Sequence, residues 1–480
     1  MPTQPLIGRL AAKQVLAAAY DSPQASLVSV VGRRRIGKTF LVKRVYAEAL
    51  HFTVTGIAGA SKSDQLANFA LRIESTFAEP PGSVRYDGWL TALADLSRRL
   101  DASAFGEGAP RIAVFFDELP WLASRRSGFL QAFSWFWNSW AVDRDVVVVI
   151  CGSAASWMVR KVVRDRGGLH NRITHRIRLE PFTLGEVRAF AEARGLVDDP
   201  YQLVQLYMAL GGVPFYLNQV QPGESAQQAI DRLLFAAAAP LEGEFGRLYA
   251  SLFDNADKHV AVVRALASKQ IGLRRGELGQ LAGIDSSGTL ARVLEELELS
   301  GFVYRTVPFG KRRKDALYRL VDEYTRFFLA FVEGHRPGTQ RFTNLATRPR
   351  YRAWAGYAFE NVALRHERQL REALGIGGIH AVASSYIARA SEEADGVQVD
   401  LLFDRADRTV TLVEAKYTEE PFVVSKDYAG ALLEKRSRFR VHTRTREYVQ
   451  VVLLTTFGVR GGGNMVGVVD VVLTVEALTG

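Results

Sequence analysis

The feature that most constrains this chain is the run Gly32-Arg33-Arg34-Arg35-Ile36-Gly37-Lys38-Thr39, a G-x4-G-K-[ST] pattern. It follows the apolar run Leu27–Val31 and precedes Phe40, Leu41 and Val45, which fit a helix. Strand, glycine-rich turn and helix in that order is the setting in which such a loop cradles phosphates. Its glycines let main-chain N–H groups turn toward an anion, and the helix N-terminus adds a favourable dipole. Gly32, Arg33, Arg34, Arg35, Ile36, Gly37, Lys38, Thr39 and Phe40 are therefore the expected nucleotide-binding residues. Lys38 is expected to reach the β- and γ-phosphates and the Thr39 hydroxyl to ligate Mg2+. Arg33, Arg34 and Arg35 either add charge near the phosphates or are solvated.

A second apolar run, Ile112–Phe116, ends in Asp117 and Glu118. Behind a phosphate loop, the first carboxylate holds Mg2+ through water and the second polarises the attacking water. The implied ligands are ATP and Mg2+. A third run, Val146–Cys151, ends at Gly152-Ser153, where Ser153 either senses the γ-phosphate or is an ordinary turn serine. Asn171 to Arg178 is rich in cations. Arg172 is the candidate arginine finger there, against a solvated basic face. Another strand is expected at 51–55, helical pattern to about residue 100, and a loop at 101–110. Phe129, Phe133, Trp137 and Trp140 recur at helical spacing, as a core face first and a base-stacking platform second. Strands alternating with helices imply a parallel sheet covered on both faces.

A chain of 480 residues exceeds one ordinary core. Its net charge of +10 favours anionic partners, nucleotide or nucleic acid. The single cysteine, Cys151, excludes an internal disulfide and a cysteine zinc cluster, as in a reducing cytosol. Met1 to Pro5 lacks a signal pattern, and no apolar run reaches about 18 residues. A cytoplasmic place and no membrane partner are expected.

Residues 183–250 are helical in pattern. His259–Leu266, Arg275–Leu281 and a third helix carrying Leu290, Val293, Leu294 and Leu297 precede short strands at 302–304 and 317–320. These strands flank Lys311-Arg312-Arg313-Lys314, giving a helix-turn-helix with a basic wing, suited to DNA phosphates or to a purely interdomain role. The Gly-, Pro- and Arg-rich stretch at 336–352 reads as a linker. Beyond it, strands at 397–403 and 409–415 set Asp400 opposite Glu414 and Lys416. Two carboxylates facing one pocket can hold Mg2+, and the lysine can activate water for phosphodiester attack. Glu360, on a preceding helix, is a further ligand or orienting group.

Two resemblances follow from these residues. Residues from about 6 to 335 resemble the archaeal-type predicted ATPases of the AAA/STAND branch of P-loop NTPases. The likeness rests on Leu6-Ile7-Gly8-Arg9, the phosphate loop, Asp117-Glu118, Gly152-Ser153, Gly211-Gly212-Val213-Pro214 and Tyr318–Phe328. The acidic residues usual after Gly-Arg are replaced by Leu10-Ala11-Ala12-Lys13. The motif Asp400-x13-Glu414-x-Lys416 resembles the PD-(D/E)xK nuclease superfamily, with Val399 where proline is usual. The implied fold is α/β: a P-loop NTPase core at 1–182, a helical lid at 183–250, a winged helix at 251–335, a linker, and a restriction-endonuclease-like domain at 353–480. The implied activity is ATP hydrolysis coupled to a nucleic-acid-acting domain. A signalling switch binding a protein partner or itself, and a DNA-binding regulator, stay open.

Overall fold

The computed structural model describes residues 5–105, 110–124, 126–153, 155–158, 171–253, 255–390 and 395–480. The signal-free start at residues 1–4 and part of the expected 101–110 loop lie outside these. Two units form, one of Met1–Glu180 with Ser251–Phe253, the other of Pro181–Ala250 with Asp254–Gly480.

In the first unit, runs of β-branched and aromatic residues become strands because such side chains pack well on a pleated surface. They are β1 (Ser26–Val31), β2 (Leu50–Thr55), β3 (Ile112–Asp117), β4 (Val146–Gly152) and the short, basic β5 (His175–Arg178). β1, β3 and β4 are buried along their whole length. That is why they read as unbroken apolar runs rather than alternating ones. All pairings are parallel, in the order β2-β3-β4-β1-β5. The ends of β1, β3 and β4 consequently share one edge, where Val31 lies opposite Gly152 and Phe116 opposite Ile150. Helix Trp89–Ser103 runs further into the expected loop than the sequence suggested. Phe129, Phe133, Trp137 and Trp140 are all buried, which removes the base-stacking alternative.

The second unit begins with helices Leu184–Ala193 and Pro200–Leu210. Helices Ala256–Ala267, Arg275–Ala282 and Ser287–Leu299 follow, with a three-stranded antiparallel sheet of β6 (Leu273–Arg274), β7 (Val303–Thr306) and β8 (Leu317–Leu320) in the order β6-β8-β7. Leu290, Val293, Leu294 and Leu297 form the buried face of the third helix, which Ser286 caps. Lys311, Arg312, Arg313 and Lys314 are exposed between β7 and β8.

The stretch 336–352 is folded and is not a free linker. It contains helix Phe342–Ala346 and the start of helix Pro349–Arg365. Phe342 packs on Phe327 and Tyr351, and Phe331 on Trp354, with ring centroids 5.2–5.5 Å apart. These rings supply the burial that the local glycine and proline content concealed. Helix Pro349–Arg365 then lies against a mixed sheet of β9 (Ala381–Ala388), β10 (Val397–Arg405), β11 (Thr409–Lys416), β13 (Tyr448–Thr455) and β15 (Val471–Thr474), while β12 (Phe422–Val423) and β14 (Val459–Arg460) form a separate pair. β9, β10 and β11 are antiparallel neighbours, and β11, β13 and β15 are parallel. The crossover from β11 to β13 is helix Lys426–Thr443.

Candidate functional site

At the shared edge of the first sheet, β1 runs into the glycine-rich loop. Gly37 takes φ +88°, a left-handed turn that a side chain resists. A Cβ on Gly32 would lie 2.3 Å from the Leu179 carbonyl oxygen. Lys38 opens its helix and is buried. Its ammonium donates to the carbonyls of Gly32 and Arg33, both at 2.8 Å, and to Ser153 Oγ at 3.0 Å. The Thr39 hydroxyl donates to Asp117 Oδ2 at 2.7 Å. Glu118 adopts φ +48° after β3, and its carboxylate accepts from Ser153 N at 3.2 Å and from Ser153 Oγ at 2.5 Å. Lys38, Thr39, Asp117, Glu118 and Ser153 are thereby joined in one polar network.

Burial pushes the Asp117 carboxyl above the usual carboxylate range. The Thr39 hydrogen bond opposes this, and the neighbouring Glu118 charge reinforces it. Two adjacent carboxylates and a hydroxyl in a partly buried pocket form a donor set suited to a hard cation such as Mg2+. Of the loop arginines, Arg34 is exposed and Arg35 half-buried, but Arg33 is 2 % exposed and so is neither solvated nor a surface charge. Ile36 is buried. Phe40 is exposed, with the Arg44 guanidinium 5.3 Å from its ring centroid.

Arg172 is not brought to this network. It precedes β5, whose His175 lies beside Val28 of β1, so it sits at the opposite edge of the sheet from the phosphate loop. Parallel pairing dictates this, because residues before a strand and residues after its neighbour lie a strand length apart. A finger acting within the same chain is thereby excluded for Arg172. A further clamp appears at Arg9, which is buried. It donates to the Ile36 carbonyl at 3.0 Å and to the Glu180 carbonyl, fastening the loop to the segment after β5.

The second cluster lies on the mixed sheet. Glu414 and Lys416 are two residues apart on β11, hence on one face, and both are partly exposed between buried neighbours. Asp400 lies in a bulge of β10, where the pairing with β9 shifts between Val399 and Leu402. Such a bulge re-aims a side chain that regular alternation would send elsewhere. Gln398 Nε2 donates to Asp400 Oδ1 at 2.9 Å, and Lys435 pairs with Glu414 Oε1 at 2.5 Å. Lys416 Nζ stands 5.2 Å from the Tyr428 ring centroid. Glu360 reaches the cluster from helix Pro349–Arg365. Burial and the charge of Asp400 push its carboxyl up to about 7, Arg319 and Lys416 acting against them and Glu414 with them.

Asp400, Glu414, Lys416 and Glu360 thus share one electrostatic neighbourhood. Glu360 Oε2 is buried without a hydrogen-bond partner, an acceptor suited to a cation. Yet among the described residues no three His, Cys, Asp or Glu side chains are grouped closely enough to hold a metal ion. Sequence reasoning missed Arg319, Gln398, Tyr428 and Lys435. Arg319 carried one faint signal, a cation inside the apolar run Leu317–Leu320. Lys435 carried none, because only the crossover helix brings it to Glu414.

Residues 9–220 match the sequence profile of an ATPase domain found predominantly in Archaea. An uncharacterized protein of Methanocaldococcus jannaschii is 22% identical over 347 residues, covering 72% of this chain and 73% of its own length. Among solved structures, a Walker-type ATPase of Pyrococcus abyssi is 17% identical over 68% of this chain and 96% of its own, with a TM-score of 0.48. The ORC2 protein of Aeropyrum pernix, solved with ADPNP and ADP, is 18% identical over 68% of this chain and 94% of its own, with a TM-score of 0.41. No helix among the described residues is long and apolar enough to cross a membrane.

Proposed function

We propose that this chain, whose residues 9–220 carry an ATPase domain of the P-loop type, binds ATP at Gly32–Phe40 and hydrolyses it, coupling nucleotide state to a nucleic-acid-acting C-terminal domain. The observation that carries the reading is the network of Lys38, Thr39, Asp117, Glu118 and Ser153 at the end of a parallel sheet. Lys38 exchanges its contacts with Gly32, Arg33 and Ser153 for phosphate oxygens. Thr39 and Asp117 would hold Mg2+, which when bound neutralises charge on the β- and γ-phosphates. Ser153 senses the γ-phosphate. In doing so it releases the Glu118 carboxylate, which then takes the proton of the attacking water. Lys38→Ala is expected to abolish nucleotide binding, measured by calorimetry. Glu118→Gln is expected to keep binding and lose turnover by about a hundredfold or more. Normal ATP affinity in Lys38→Ala would reject the site.

For the second unit, the reading is a winged helix with its basic turn at Lys311–Lys314, followed by a PD-(D/E)xK-type domain. Asp400 and Glu414 would hold Mg2+, Lys416 would orient the attacking water, and Glu360 would assist. The antiparallel step from β10 to β11, the bulge at Asp400 and the shared face of Glu414 and Lys416 support this. A DNA-binding regulator without cleavage is the second reading, favoured by the pairing of Glu414 with Lys435. Incubation with duplex DNA and Mg2+ separates the two. Cleavage lost in Asp400→Ala supports the nuclease, whereas ATP-dependent binding without cleavage supports the regulator.

A further inference from the structure

Arg319 lies on β8, in the sheet that carries the basic turn, and is only 5 % exposed. Its Nε is buried with no hydrogen-bond partner. A buried guanidinium left unpaired is costly and persists only where opposite charge compensates it. The charges that act on it are those of Asp400 and Glu360. Phe309, at the base of the basic turn, fixes this arrangement. Its N–H donates to the Ser385 carbonyl at 2.9 Å, and its ring packs 5.4 Å from that of Phe439. A residue from one sheet thus sits in the electrostatic neighbourhood of a carboxylate pocket built on another.

We infer that Arg319 is a built-in counter-ion of the Asp400–Glu414–Glu360 pocket, standing in for a divalent cation and weakening that cation's binding until a phosphate arrives with it. The inference rests on the reading of Asp400 and Glu414 as cation ligands. When all groups are ionised, three carboxylates (Asp400, Glu414, Glu360) face three cations (Arg319, Lys416, Lys435), so the pocket is neutral without metal. Each acidic group already has company, Glu414 from Lys435 and Asp400 from Gln398. This accords with the absence, among the described residues, of three acidic side chains grouped around one point. A bare dication would leave the pocket with excess positive charge in a low-dielectric site, whereas a dication bound together with a phosphodiester would not. Arg319 is a positioning residue on this account: it acts through the carboxylates and not on the reacting atoms.

The test is Mn2+ binding to the full chain without nucleic acid, followed by electron paramagnetic resonance. The quantity read is the component lost on adding Asp400→Ala, which removes any contribution of the phosphate loop. Arg319→Gln and Arg319→Met are expected to tighten that component about tenfold or more, one unit of charge in a shielded site. Arg319→Lys, which keeps the charge, is expected to stay within about twofold of the parent. Equal Asp400-dependent affinity in the parent and both neutral variants overturns the inference while leaving the cation reading intact. Absence of any Asp400-dependent Mn2+ uptake, with or without duplex DNA, removes the cation reading and the inference with it. If a neutral variant is unfolded without metal, its refolding by added Mn2+ supports the counter-ion role, and indifference to Mn2+ overturns it.

Discussion

Single side chains in this protein are placed by what burial costs them. His366 is the clearest case. It is 1 % exposed, and its Nδ1–H donates to the Val362 carbonyl at 2.7 Å. That leaves Nε2 bare to accept from Leu184 N at 2.8 Å. Burial therefore holds the ring neutral and lowers its pKa from 6.5 to about 4. A folded-state pKa below the unfolded one means stability that is present above about pH 6.5 and lost as pH falls toward 4. The expected loss is about 3 kcal/mol. Glu323, pushed up to about 7 by burial, works the other way, its contribution fading as pH rises from 4.5 to 7. Urea melts of the parent and His366→Gln isolate the histidine. The parent's stability is expected to fall more steeply below pH 6.5 than the variant's, and parallel curves would reject the assignment.

At the scale of elements, close backbone approaches and strand irregularities decide where chemistry sits. The bulge in β10 is one, because without it the alternation of Val397–Arg405 would not need to break at Asp400. The Gly211-Gly212 segment is another. Phe182 N donates to the Gly212 carbonyl at 2.6 Å, and a Cβ on Gly212 would lie 1.9 Å from the Phe182 oxygen. Backbone cannot yield as a flexible side chain does. Gly212→Ala is therefore expected to destabilise the second unit by about 1–3 kcal/mol, read as a lower urea midpoint. An unchanged midpoint would show that the two segments separate freely.

For the whole molecule, sheet direction governs which residues can cooperate. The loop at Gly32–Thr39, the acidic pair and Ser153 meet because β1, β3 and β4 are parallel and end together. Arg172, at the other edge, does not. Arg172→Ala is expected to leave ATP turnover of the dilute chain within about twofold, where loss of an acting finger costs about a thousandfold. A thousandfold loss at protein concentrations where the chain is monomeric would contradict the parallel topology.

The local half of this protein was legible in its residues. The phosphate loop, the Asp117-Glu118 strand end, the three helices over 256–299 and the strands bearing Asp400, Glu414 and Lys416 announce themselves through periodicity, glycine and charge, which are short-range signals. Tertiary structure alone decided the rest. It turned 336–352 from an apparent linker into packed helix, because Phe342, Tyr351 and Trp354 find partners distant in sequence. It buried Arg33 and Arg319, sent Arg172 to the far edge of the sheet, and brought Lys435 to Glu414. Neighbouring residues set a segment's conformation, but burial and charge pairing depend on what the remainder of the chain lays against it.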